Sequence, residues 1–510
     1  MIKRFDNIKL GIGDGEDKLL KIVRKKLGKT PGYFRILKKS LDARDKNNIK
    51  WVYSVAFSSE KEAEQKYEKI ENPPKVIVVG SGPAGLFCAV RLIEHGFRPV
   101  VIERGEPVEE RRRTIEKFFS EKLLNENSNV QFGEGGAGTF SDGKLNTQTH
   151  DGLNKDVLKI FHRFGAPEEI LYLNKPHIGS DNLYGILRRM RCFILDNGGE
   201  IFFNTLFCGI GKRNGEITGV ILKDIRTGAE YGKEADCVVV ALGHSARDTF
   251  DMLNRSGVAM ESREFAVGVR IEHLADSIGR AQYGSNFTML PAADYKLISR
   301  AHERTVFTFC MCPGGVVIPS ASEHGGVVTN GMSLYARKGE NSNSALMVQL
   351  KKSDFGEGLF DGMNFQREIE RKAYVAAGGN FKAPVQLYGD FIKDRVSSGF
   401  VEIKPTYAAG TAFVPLGEVL PKIVTEALKA AIPDMDGRLK GFASPEAVLT
   451  GVETRFSSPV RILRGADKQS VSIKGLYPCG EGSGYSGGIT SSAADGLSVA
   501  EIIFEKFKNH

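Results

Sequence analysis

Cysteine is scarce in this chain of 510 residues, and long apolar runs are missing. The seven cysteines, at positions 88, 192, 208, 237, 310, 312 and 479, form no CxxC pair and no metal-ligand spacing. Neither a disulfide scaffold nor a metal site is expected, and a reducing cytoplasm is the expected compartment. No stretch approaches roughly eighteen consecutive apolar residues, so no membrane-spanning helix is predicted. The opening Met1-Ile-Lys-Arg-Phe-Asp6 offers no apolar signal segment, and export is not expected. Acidic charge is short only at one end. Residues 1–72 carry +7 of the formal net charge of +8, so the basicity belongs to an N-terminal piece. That piece reads first as a solvated module and second as a surface for a polyanion such as RNA.

What is present is an ordinary globular composition, 41% apolar and long enough for two or three domains. Residues 1–72 read as a small basic α/β module of ferredoxin-like type. Strand-like alternation runs over Ile2–Leu10. Asp14–Gly28 has helical spacing, acids first, bases last and a closing glycine. Tyr33–Asp42 and Lys50–Phe57 read as two further strands, and Asn72-Pro-Pro74 ends the linker.

Lys75-Val-Ile-Val-Val-Gly-Ser-Gly-Pro-Ala-Gly85 then runs a β-branched strand straight into G-x-G-x-x-G. A helix is predicted over Leu86–His95 and a second strand over Pro99–Glu103. This is a complete βαβ unit. Gly80, Gly82 and Gly85, with Pro83 and Ala84, allow a tight turn and the approach of a pyrophosphate to a helix N-terminus. Glu103, with Arg104 beside it, is placed for the ribose. A carboxylate there favours an unphosphorylated ribose, as in FAD or NAD. Residues 197–242 read as strands: Glu200–Phe207, Gly215–Lys223 and Asp236–Gly243, the last fully apolar and expected in a parallel sheet. Gly209, Gly211 and Gly215 are read as hairpin turns. Residues 246–450 read as an inserted α+β substrate or cap domain with strands over Phe265–Glu272 and Val306–Ile318 and a polar helix over Asn364–Ala377. The domains expected are thus 1–72, 73–245, 246–450 and 451–510.

Six glycines crowd into Gly475–Ile489 near the chain's end. The stretch follows a strand-like Lys474–Gly480 and precedes a helix starting near Thr490. Glu481 is placed to bind ribitol hydroxyls. The amides of Gly487, Gly488 and Ile489 are placed to meet a flavin pyrimidine edge, where a helix dipole favours the charge of a reduced ring. This selects FAD over NAD as the resident dinucleotide. A third glycine-rich stretch, Gly133–Asn146, is placed to line the flavin's other side through Gly135, Gly136 and Gly138, with Lys144 or Ser141 within reach of N5 or O4.

Four stretches carry a family resemblance: Gly133-Glu-Gly-Gly-Ala-Gly-Thr-Phe-Ser-Asp-Gly-Lys-Leu-Asn146, Ala241-Leu-Gly-His-Ser-Ala-Arg-Asp-Thr-Phe250, Phe309-Cys-Met-Cys-Pro-Gly-Gly315 and Glu453-Thr-Arg-Phe-Ser-Ser-Pro-Val-Arg461. The chain resembles, over nearly its whole length, the bacterial family of uncharacterised FAD-dependent dehydrogenases. The resemblance implies non-covalent FAD and a glutathione-reductase-like FAD domain. It names no substrate.

Candidate chemistry lies around these stretches. Gly243 and His244 follow the buried strand, with His244 the first choice for proton transfer. Arg247, Arg455 and Arg461 are candidates for holding an acidic substrate. Cys310 and Cys312, two apart on a strand, are expected to face one side as a thiol pair. No second dinucleotide unit and no His-rich tract occur, so NADH or NADPH is expected only as a transient donor and covalent flavin is not expected. The expected activity is hydride transfer between FAD and a small molecule, with an electron-transfer partner kept open. The alternatives are reduction of carbon–carbon double bonds on an unsaturated lipid, which would need an apolar tunnel, and a flavoprotein acting on RNA.

Overall fold

The computed structural model describes residues 3–27, 32–58, 66–147 and 152–508. Its centre is a five-stranded parallel sheet in the order Leu476–Pro478, Cys237–Val240, Val76–Val79, Val100–Ile102, Glu200–Phe202. The three middle strands are almost wholly apolar because both sheet faces are covered. One face packs on the helices Pro83–Glu94 and Ile489–Phe507, with Ser180–Asp196 and Leu153–Arg163 beyond them. The other packs on an antiparallel meander of Thr205–Arg213, Glu216–Asp224 and Glu230–Glu234. The single strand expected over Glu200–Phe207 is therefore two strands in two sheets. Asn204, at φ 52°, turns the chain between them. Gly209 and Gly211 sit within a meander strand, and only Gly215 occupies a turn.

A seven-stranded sheet builds the second body, in the order Ile298–Ser299, Val306–Cys312, Asn341–Gln349, Ala266–Leu274, Val448–Glu453, Ala383–Leu387, Thr411–Phe413. All neighbours are antiparallel except the last pair. Val448–Glu453 runs across position 450, so this sheet takes in residues on both sides of the boundary expected there. The helix Lys422–Asp436 packs into its core, and Asp361–Ala376 lies against it near Ala383–Leu387. A two-stranded ribbon, Met260–Ser262 with Val460–Ile462, joins this body to the flank of the parallel sheet.

The N-terminal module is Lys3–Gly11, the helix Glu16–Leu27, Tyr33–Asp42 and Lys50–Ser58, in the sheet order first–third–second. That is one split β-α-β unit around Ile8, Leu10, Leu19, Val23, Tyr53, Val55 and Phe57. The second helix and fourth strand of a ferredoxin-like unit are not found among the described residues. Gly28, expected to close the helix, lies outside them. The module docks by its edge strand: Lys39 N–H donates to Tyr172 O at 2.8 Å and Asn174 N–H to Lys39 O at 2.9 Å. No described helix is long and apolar enough to cross a membrane.

Candidate functional site

Three glycine-rich stretches, far apart in sequence, meet at the carboxyl ends of the parallel strands. Val76–Val79 runs into Gly80, whose φ of +102° is open to glycine and strained for other residues. A Cβ on Gly85 would stand 1.9 Å from Gly80 O, so only glycine lets the helix Pro83–Glu94 sit this close to the strand end. That helix starts at Gly82 with proline in its first turn and no side-chain cap. Its N-terminus thus keeps the unmet N–H groups that bind a phosphate. Gly135 N–H donates to Ser81 O at 2.9 Å, and a Cβ on Gly136 would lie 3.1 Å from Gly82 Cα. A Cβ on Gly138 would meet Ile489 Cγ1 at 3.0 Å, and Thr490 Oγ1 donates to Leu145 O at 2.7 Å. Gly482 N–H donates to Leu242 O at 3.1 Å, and a Cβ on Gly480 would meet Ala84 Cβ at 2.8 Å.

These close approaches tie the loops together. Gly243, Gly487 and Gly488 behave differently: no protein atom lies within 4 Å of a Cβ built on any of them. The helix Ile489–Phe507 begins at Gly488, again without a side-chain cap. Bare backbone and two uncapped helix starts form a cradle that side chains do not fill, as a dinucleotide requires.

Glu481 and His244 stand at its inner end. His244 Nδ1 is 3.7 Å from Glu481 Oε1. Burial, and then the neighbouring Arg455, push the histidine down to about 3, so it is neutral at physiological pH. Its Nε2 is buried without a partner. Burial pushes the Glu481 carboxyl up to about 7. Among the described residues nothing donates a hydrogen bond to that carboxyl, although its side chain remains 28% exposed. An acid left with free acceptors beside the cradle fits the ribityl role expected of it.

The comparisons agree with this geometry. The family model "FAD-dependent protein, C-terminal domain-like" matches residues 264–456, an FAD binding domain matches residues 75–111, and a domain of unknown function matches residues 1–58. An uncharacterized protein of Clostridium beijerinckii is 45% identical, over 99% of this chain and 99% of its own length. The chain belongs to this family of FAD-dependent proteins. Its cofactor is FAD. Among solved structures, a geranylgeranyl bacteriochlorophyll reductase-like protein from Thermoplasma acidophilum is 10% identical at a TM-score of 0.38, covering 86% of this chain and 79% of its own. A flavoprotein/dehydrogenase from Cytophaga hutchinsonii is 11% identical at 0.37, with the same two coverages. Neither likeness bears on the reaction.

Several residues expected to touch the cofactor of this FAD-dependent protein are engaged by the protein itself. The Glu103 oxygens accept from Ser81 N–H at 2.9 Å, Ser81 Oγ at 2.7 Å, Gly105 N–H at 2.9 Å and Gly133 N–H at 3.1 Å. Two carboxylate oxygens offer about four lone-pair sites, so a ribose hydroxyl would have to displace one of these donors. Glu103 thereby pins the first and third glycine loops to each other. Arg104 pairs with Asp248 at 2.6 Å and lies over the Phe132 ring. Ser141 Oγ is spent inside its own loop, on Gly138 O at 2.7 Å and Gly143 N–H at 3.1 Å. Lys144 lies 3.8 Å from Asp142, an ion pair and not a free ammonium.

The expected thiol pair is a correction. A β-bulge between Phe309 and Cys312 puts Cys310 at φ +40°, which breaks the alternation that would have aligned the two side chains. Cys310 is exposed and Cys312 is buried, its Sγ 3.2 Å from Cys310 O. Burial pushes the Cys312 thiol up, the reverse of a nucleophile's shift.

The arginines divide. Arg461 is half-exposed, 3.2 Å from Glu261 and over the Tyr485 ring. Arg247 and Arg455 are buried and share the carboxylate of Glu370, a residue the sequence did not single out. Two further residues went unnoticed. Arg111 is wholly buried and donates to the carbonyls of Asn129, Val130, Gly133 and Glu134, holding the third glycine loop in shape. Asp495 accepts from Gly480 N–H at 2.8 Å and is clamped by both Arg464 terminal nitrogens at 2.9 Å. Arg111 belonged to a visible run of three arginines, but nothing in the run says which one turns inward. Asp495 sat in a predicted helix with nothing to say that its carboxylate would reach back to Gly480.

Proposed function

We propose that this FAD-dependent oxidoreductase transfers a hydride between its flavin and a small molecule bound beside His244 and Glu481. The observation that carries the reading is that pair: an acid raised to titrate near neutral pH and an imidazole held neutral, 3.7 Å apart, beside the open backbone of Gly243 and Gly488. Bound FAD supplies the two-electron chemistry. The chain's own work is to hold it and to move a proton. The open backbone at Gly488 and the start of the helix Ile489–Phe507 favour negative charge, while the Gly487 amide donates to Ser491 Oγ at 3.3 Å. Glu481, raised to titrate near neutral pH, is the group able to hold and release the proton that accompanies a hydride, and the neutral His244 beside it can offer a hydrogen bond without taking that proton up. NADH or NADPH serves as a visiting electron donor in this reading.

The test is an absorbance spectrum of the purified protein, followed by anaerobic NADH and then NADPH. A flavin spectrum, with FAD released on heat denaturation, and bleaching by either nucleotide are the expected results. Protein that is colourless and takes up no FAD would overturn the proposal.

A further inference from the structure

Three nitrogen atoms around Glu370 have no hydrogen-bond partner although their side chains are more than nine-tenths buried: Arg247 Nε, Arg455 Nη1 and His244 Nε2. The rest of the cluster is saturated. Glu370 Oε1 and Oε2 accept from Arg247 Nη2 and Nη1, both at 3.0 Å. They also accept from Arg455 Nε at 2.8 Å and Nη2 at 3.1 Å. Thr454 Oγ1 donates to Oε1 at 2.6 Å. Arg247 further reaches Gln366 Oε1 at 3.2 Å and Glu323 Oε2 at 2.8 Å. Glu323 is itself neutralised by Arg367 at 2.8 Å and lies one-third exposed. Two buried guanidinium groups thus share one buried carboxylate, which leaves one positive charge uncompensated.

An uncompensated buried charge with unmet donors is costly, and such groups are found paired. One added anion would close both deficits. A carboxylate suits the arithmetic: its single charge matches the excess, and its two oxygens can each accept from one arginine. A phosphate dianion would overshoot the charge. The unpartnered His244 Nε2 ties this place to the proton-handling pair, because the same ring faces Glu481.

We propose that Arg247, Arg455 and His244 form a buried subsite for the carboxylate of a small organic acid. The substrate class is then a small carboxylic acid, with its reacting carbon between this anchor and the flavin. This rests on the flavin reading above for the identity of the substrate, though not for the binding itself.

The experiment titrates the holoenzyme with acetate, and separately with inorganic phosphate and chloride at matched ionic strength. It reads both the flavin difference spectrum and the melting midpoint. Acetate is expected to give a saturable spectral change and to raise the midpoint by mass action, phosphate and chloride neither. Arg455→Lys, which keeps the charge but loses the second nitrogen, is expected to weaken acetate at least tenfold, and His244→Asn to weaken it less. Acetate acting no differently from chloride would overturn the subsite, as would equal binding by parent and Arg455→Lys. If the variant fails to fold, the selectivity of the parent protein for acetate over phosphate decides. A yellow protein indifferent to acetate overturns the subsite and spares the flavin reading. A colourless protein that still melts higher with acetate does the opposite.

Discussion

Replacing Glu481 with glutamine tests the core of the site through stability alone. Burial raises the carboxyl from 4.5 to about 7 in the folded protein. The folded state therefore binds the proton more tightly than the unfolded chain. Below pH 4.5 the acid is protonated in both states and contributes nothing to the difference. Between pH 4.5 and 7 the unfolded chain ionises while the folded protein resists, and stability falls. Above pH 7 the loss is complete. A shift of this size corresponds to about 3 kcal/mol, at 1.36 kcal/mol per pH unit. Glu481→Gln has the same shape and no charge. FAD-stripped parent and variant should therefore be equally stable at pH 4, and the variant should be more stable by about 3 kcal/mol at pH 8. Urea unfolding of the two proteins, compared pairwise at each pH, cancels titrations elsewhere in the chain. A difference that does not change with pH, or one that favours the parent at pH 8, would refute the assignment of Glu481 as a carboxyl without donors.

Gly85→Ala drives a Cβ into Gly80 O, which stands 1.9 Å away, and should destabilise the protein by about 1–3 kcal/mol while abolishing the flavin spectrum. Gly487→Ala has no protein neighbour to strike, so it should keep the parent's melting midpoint yet weaken FAD at least tenfold, measured by equilibrium dialysis. Burial acts to raise Glu370, but Arg247 and Arg455 outweigh it and hold the acid down to about 2. Its contribution is thus present above the ordinary carboxylate range and lost as the pH falls toward 2; Glu370→Ala, which strands two buried guanidinium groups, should cost about 3–5 kcal/mol at pH 7 by urea unfolding. Cys479, wholly buried and with its thiol pushed well up by that burial, should react with iodoacetamide at pH 8 at least a hundredfold more slowly than the exposed Cys192, followed by mass spectrometry of the labelled peptides.

The local signals in the sequence were strong where one physical cause acted alone. The apolar run before Gly80 had to be a buried strand, and the glycines after it had no other use than close approach. The same holds for Gly487 and Gly488, whose freedom the protein itself does not use. Element positions followed from periodicity, with Tyr33–Asp42 placed to the residue. The thiol pair was misread because alternation on a strand assumes an unbroken ladder, and the bulge at Cys310 depends on how that strand meets Asn341–Gln349.

The sequence by itself pointed to a dinucleotide cofactor, from three glycine-rich stretches, because glycine, β-branched strands and a helix start are local in their physics. Only the tertiary structure decided which charges remain for chemistry. Glu103 is occupied by four protein donors and Lys144 by Asp142, while among the described residues Glu481 is left without donors and Arg247 Nε, Arg455 Nη1 and His244 Nε2 without partners. A side chain's charge is visible in the sequence. Its partner is set by folding, often from more than a hundred residues away, as Glu370 is from Arg247.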